Sequence, residues 1–179
     1  MNDKARLFVF AVLLAAFTSV AFAQNDLAGP LKAFKPYIGK TWKGELKSTG
    51  EEKPATDVAR WERALNGQAV RIVHSVNNGE YGGESVILWD NQKKSLVYYY
   101  FTTAGFYTRG TMTVENNKYI YHEHVVGFPN ATITEVKGTG EFTADGKWIN
   151  KSQYLKNGEW ADGHEAIYVE DAAAQVVFK

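Results

Sequence analysis

The sequence predicts an all-β domain: an antiparallel up-and-down β-barrel of about ten strands, preceded by a short N-terminal helix. Three observations predict it. Beyond Gly39, short runs rich in Val, Ile, Thr, Tyr and Trp alternate with clusters of Asn, Gly, Asp and Lys at regular intervals. Several clusters, among them Asn66-Gly67, Asn116-Asn117 and Asn157-Gly158, are two-residue hairpin turns that favour positive φ. No helix-length apolar pattern interrupts the strands, so parallel crossovers are excluded. Consecutive hairpins close most simply into a barrel, because closure removes exposed edges; a two-sheet sandwich is the alternative.

The elements follow in order. Residues 1–23 read as a cleaved signal peptide: Lys4 and Arg6 make a basic start, Leu7 to Ala16 an apolar run, and Ala21-Phe22-Ala23 a small-x-small cleavage site. The apolar run is too short for a transmembrane anchor and leads directly into Gln24-Asn25-Asp26. The single barrel domain is therefore expected over 24–179, in the periplasm or secreted from a Gram-negative type of bacterium, with no stable membrane anchor once the signal is removed. Leu31, Phe34 and Ile38 have helical spacing, and Pro30 and Pro36 keep that helix short. Strands are expected at 41–48, 55–65, 69–77, 84–90, 95–102, 106–115, 118–126, 131–143, 147–156 and 159–170. The tail from Ala172 to Lys179 reads as an extra strand or a frayed end.

Composition narrows the function. Twenty basic residues balance 20 acidic ones, which gives no electrostatic basis for binding nucleic acid or an anionic membrane face. Cysteine is absent, so an exported chain must hold itself together by packing, and its 14% aromatic content can supply that.

The stretch Gly39-Lys-Thr-Trp42-Lys-Gly44, entering the first strand after a short helix, resembles the Gly-x-Trp opening of lipocalins and other calycin-like barrels. The longer runs WERALNGQAVRIVHSVNNGEYGGESVILWD and YYYFTTAGFYTRGTM resemble a bacterial family of secreted barrel proteins whose activity is unassigned. The resemblance covers nearly all of 31–170. It implies a calycin-like barrel, of lipocalin or nitrobindin shape, and offers no catalytic residues.

Residues 119–126, YIYHEHVV, hold His122-Glu123-His124, three candidate metal or proton-transfer ligands in a row. Hairpin register decides among them. A two-residue Asn116-Asn117 turn sets Arg109 opposite His124 and Thr111 opposite His122 on one face. The other face sets Gly110 opposite Glu123 and Met112 opposite Tyr121. Alternate strand residues point to opposite sides, so Glu123 cannot share a site with the histidines. The histidine face is the more polar and is expected outside. With Arg109 beside His124 and no neighbouring carboxylate or cysteine in view, no metal site is expected. Glu123 is expected inside, among Met112, Tyr119 and Tyr121, where burial raises a carboxyl pKa.

The Asn66-Gly67 turn places Trp61 opposite Ile72, Arg63 opposite Val70 and Ala59 opposite His74 on a more apolar, inward face. Glu62 and Arg71 make a surface pair on the other. If Ala104-Gly105 is also a two-residue turn, Tyr99 and Phe101 join the face of Tyr121 and Glu123, and Tyr100 lies outside beside Arg109. Both faces of 84–102 are apolar, so the helix or a second subunit of a homodimer is expected to cover the outside.

The expected site is a lumen lined by Trp61, Arg63, Ile72, His74, Tyr99, Phe101, Met112, Tyr121 and Glu123. Such a lumen suits a small hydrophobic or aromatic ligand with a polar head. The leading expectation is a small-molecule-binding barrel without cofactor or covalent chemistry. A haem- or metal-binding barrel of nitrobindin type is the second class, resting on His164, whose cross-strand partner would be Lys151. An enzyme using an interior Glu/His acid–base pair is the third, although no nucleophile elbow, phosphate loop or zinc motif is present.

Overall fold

The computed structural model describes residues 26–50, 52–129 and 131–179. The signal peptide expected at 1–23 lies outside the described residues. A 3-10 helix, Gly29–Phe34, leads into ten strands: β1 (Thr41–Ser48), β2 (Ala55–Ala64), β3 (Ala69–Val76), β4 (Tyr81–Asp90), β5 (Ser95–Thr102), β6 (Tyr107–Glu115), β7 (Lys118–Val126), β8 (Ile133–Phe142), β9 (Trp148–Lys156) and β10 (Glu159–Glu170). Each strand pairs antiparallel with its chain neighbours, and β1 pairs with β10 from Trp42–Glu170 to Ser48–His164, so the barrel is closed. Closure leaves no sheet edge for another chain to add to.

Sequence and structure differ at the start of β4, which begins at Tyr81 rather than at 84. Gly82 and Gly83 masked the strand pattern, yet they pair with Ser75 and His74 of β3. The helix expected around 31–38 is one 3-10 segment followed by a turn. Gly39 then takes a φ of +79°, and its amide donates to the Trp61 carbonyl at 2.8 Å. A side chain at Gly39 would strain that reversal into β1.

One end of the barrel is plugged from inside. Leu31, Phe34 and Tyr37 are buried, and Tyr37 stacks on Trp61 with ring centroids 4.5 Å apart. Trp61 meets Trp148 edge-on at 5.3 Å, and Trp148 stacks on Tyr168 at 4.0 Å. Each such pair adds about 0.5–1.5 kcal/mol beyond the area it buries. The N-terminal segment therefore packs into the lumen rather than over the outer face of β4 and β5.

The outer wall carries charge. Arg71 bridges Glu62 and Glu84 across β2, β3 and β4, and Lys151 pairs with Glu165 between β9 and β10. Apolar residues inside and ion pairs outside reverse the alternation of a membrane-spanning barrel. The tail after β10 is neither a strand nor frayed. It runs along the outside, where the Val177 amide donates to Ser75 Oγ at 3.0 Å, leaving Ser75 only 2% exposed.

Candidate functional site

Opposite the plugged end the lumen opens, and a cavity of about 410 Å³ reaches from the mouth down to Trp61 and Trp148. Of the residues expected to line it, Trp61, Ile72, His74, Met112, Tyr121 and Glu123 do so. Both hairpin registers that placed them are present: Trp61 opposite Ile72, and Met112 opposite Tyr121.

Tyr99 and Phe101 do not line it. They are 39% and 50% exposed on the outer wall, where they form a ladder with Tyr107. The turn explains the correction. Both the amide and the hydroxyl of Thr102 donate to the Phe106 carbonyl, and Gly105 has a φ of +82°. The loop thus has three residues rather than two, and Leu96, not Val97, faces Met112. A register slip of one residue moves every side chain of a strand to the other face. Tyr98 and Tyr100 are therefore the inward residues, and Tyr99 is the one opposite Arg109.

Arg63 is also corrected. It follows the inward alternation of β2 but sits at the plugged end, where its Nε donates to the Asp26 carbonyl at 3.1 Å. It secures the N-terminal segment and takes no part in the cavity lining.

One wall of the cavity carries a chain of polar side chains. Asp57, 4% exposed, accepts a hydrogen bond from the Tyr168 hydroxyl at 2.6 Å and contacts His74 Nδ1 at 3.0 Å. His74 Nε2 meets the Tyr100 hydroxyl at 2.7 Å, and the Tyr100 and Tyr81 hydroxyls are 3.1 Å apart. The carboxylate fixes one imidazole nitrogen as a donor. Burial raises the pKa of Tyr81, Tyr100 and Tyr168 above that of an ordinary phenol, so all three remain hydroxyl donors at neutral pH.

Glu123, 8% exposed, lies elsewhere on the wall and accepts a hydrogen bond from the Thr108 hydroxyl. Burial raises its pKa, partly offset by hydrogen bonding from Thr108 and then Tyr98. Tyr98 lies close enough for the Glu123 charge to raise its own pKa further, after burial. The indole N–H of Trp61 is buried in the cavity wall and has no hydrogen-bond partner among the described residues. Glu123 and His74 each have other partners, so the structure does not join them as an acid–base pair.

His164 faces the cavity as well, which sequence reasoning missed. A bulge between Asp162 and Glu165 shifts the register, so Glu165 rather than His164 sits opposite Lys151. Bulges re-aim side chains in this way. The turned His164 puts Nδ1 at 2.6 Å from the Tyr154 hydroxyl and 3.0 Å from Ser152 Oγ. Burial lowers its pKa to about 4, so the imidazole is neutral.

His122 and His124 lie on the exposed outer face, as their register requires, and Glu123 points away from them. The expectation that no carboxylate neighbours them is corrected: Glu135 of β8 is opposite His124 and 2.6 Å from His122 Nε2. The register of β8 against β7 is regular, but no turn signal as plain as Asn-Gly fixes it in the sequence.

A closed ten-strand meander, plugged at one end and hollow at the other, defines a calycin-like barrel. No family model matches the chain, and no curated protein matches it in sequence. Among solved structures it is similar to the one titled "Crystal Structure of Rv2717c from M. tuberculosis", with a TM-score of 0.61 at 13% identity. The match covers 82% of this chain and 99% of that one. At that identity the likeness is one of fold.

Proposed function

We propose that this chain is an exported binding barrel that holds a small molecule with an apolar or aromatic body and a hydrogen-bonding head in its lumen, without covalent chemistry. The observation that carries the reading is the 410 Å³ cavity, with a buried donor in its wall, Trp61 Nε1, that no group among the described residues satisfies. A buried unpaired donor costs about 1–3 kcal/mol, and a ligand acceptor in the lumen would recover it. The Asp57–His74–Tyr100–Tyr81 chain offers further hydroxyls along one side for the head. Phe106 and Phe128, with ring centroids 5.0 Å apart at the mouth, give an apolar body a place to enter.

Native mass spectrometry of the chain purified without detergent or organic solvent tests this. The expected spectrum contains a co-purified small mass that is lost on denaturation, with the free chain beginning at Gln24. A free lumen that also takes up no apolar compound from a panel counts against the reading.

A second reading is favoured by one observation. His164 is neutral, anchored at Nδ1 and turned into the lumen, as an imidazole ligand to haem must be. Haem bound there would give a Soret band on reconstitution, absent in His164→Gln. Unchanged absorbance in the wild-type chain removes that reading and leaves the first intact.

A further inference from the structure

The outer wall holds a cluster that the lumen does not use. His122 and His124 alternate along β7, so both rings leave the same face, and their centroids are 5.2 Å apart. Glu135 on the neighbouring strand brings its two oxygens to 2.6 Å from His122 Nε2 and 3.7 Å from His124 Nδ1. One ligand atom from each residue falls within 4.8 Å of the others, the spacing of donors around a single ion. The three sit on paired strands of a closed barrel, where the regular β7–β8 register sets Glu135 opposite His124. Such a site is held by the backbone, not assembled from mobile loops.

We propose that His122, His124 and Glu135 form a surface site for a divalent transition-metal ion, zinc foremost, separate from the lumen. Two imidazoles and a carboxylate are a ligand set that Zn²⁺ accepts, with a fourth position left for water or an external group. Two cations face the cluster. Arg109 is opposite His124, and Lys137 is opposite His122. The Lys137 ammonium is drawn aside over the Trp160 ring, 4.0 Å from its centroid, and Arg109 is exposed, so solvent and salt screen it. Trp160 in turn lies 6.1 Å from the His122 ring, close enough to report on a bound ion.

The test titrates the chain from Gln24 to Lys179 with ZnCl₂ by calorimetry, and with CuCl₂ while following tryptophan emission. The expected result is saturable binding of one Zn²⁺ per chain, weakened roughly tenfold or more by His122→Ala, His124→Ala or Glu135→Gln. His164→Gln, inside the barrel, binds zinc as the wild-type chain does. Cu²⁺ quenches an emission component that Trp160→Phe lacks, while Trp160→Phe still binds zinc. All of these residues are on or near the surface except His164, and circular dichroism of each variant shows whether the fold is kept. No saturable binding by the wild-type chain, or binding retained by the His122/His124 double variant, overturns the proposal. So does loss of binding in His164→Gln, which would move the ion into the lumen.

Discussion

Tyr121 lies over Gly138, its cross-strand partner: a Cβ on that glycine would sit 2.4 Å from the Tyr121 hydroxyl oxygen. The relationship recurs around the barrel. Tyr119 lies over Gly140, Tyr168 over Gly44, Tyr100 over Gly83 and Tyr154 over Gly163. Each glycine gives up its side-chain volume so that a tyrosine ring can lie back against the wall. The lumen is thereby lined with aromatic surface without being filled by it, which is how a chain so rich in tyrosine keeps a cavity.

Gly138→Ala should push Tyr121 off the wall and into the lumen. The added Cβ would also lie 2.3 Å from the Lys151 carbonyl, so the backbone must give as well. Overpacking of this kind costs about 1–3 kcal/mol. Denaturant unfolding of the variant should show that loss, together with weaker binding of any lumen probe. An alanine variant as stable as the parent would show that the ring needs no such seat.

Glu123 carries a raised pKa in the fold, burial being the chief cause. The folded chain then holds its proton to higher pH than the unfolded chain does. The group's contribution to stability is fully present below the unfolded carboxyl pKa and is lost as pH rises through the folded value. Glu123→Gln, which keeps the shape and can still accept from Thr108, should be more stable than the parent at neutral pH. The difference should shrink as pH falls toward the ordinary glutamate range. Unfolding curves across pH measure it, and a Gln variant that is less stable at neutral pH would mean that the ionised carboxylate is favoured.

His164 has the opposite sign. Burial holds its folded pKa at about 4, below the ordinary imidazole value of 6.5. The unfolded chain takes up a proton that the folded chain refuses, so stability is lost as pH falls through the window between those values. His164→Gln should flatten the dependence of stability on pH in that window and leave the neutral region less affected. An unchanged pH profile would place His164 in contact with water.

The β5 register separates two pairs of neighbours. Tyr98→Ala should cost about 3–5 kcal/mol, as removal of buried aromatics does. Phe101→Ala, on the outer ladder, should stay within about 1 kcal/mol of the parent. Equal losses at the two positions would contradict the three-residue loop that turns Tyr98 inward.

Much of this was legible in the sequence, and for physical reasons. Asn66-Gly67 and Asn116-Asn117 fix their hairpins because few residues accept positive φ; Asn66 and Asn116 take φ of 55° and 58°. Those turns put Trp61, Ile72, His74, Tyr121 and Glu123 inside and His122 and His124 outside. What the sequence hid were the places where one residue changes the parity of a strand. The Thr103-Ala104-Gly105 loop contains a glycine that fits a two- or a three-residue turn equally well, and the wrong choice inverts Tyr98 through Phe101. The bulge before Glu165 carries no signal of its own, so His164 reads as a neighbour of Lys151. The Tyr–Gly pairs are also invisible along the chain, because Gly138 and Tyr121 meet only once β7 and β8 are in register.

The central claim is that the lumen, not the outer face of His122 and His124, receives the small molecule. Binding of a neutral apolar fluorophore such as N-phenyl-naphthylamine, followed by energy transfer from tryptophan, tests it most directly, since Trp61 and Trp148 line the cavity. Tyr121→Ala should weaken binding by about 1–3 kcal/mol through lost apolar contact. His122→Ala, one residue along β7 on the opposite face, should bind as the parent does. Abolition of binding by His122→Ala, with Tyr121→Ala unaffected, would contradict the account.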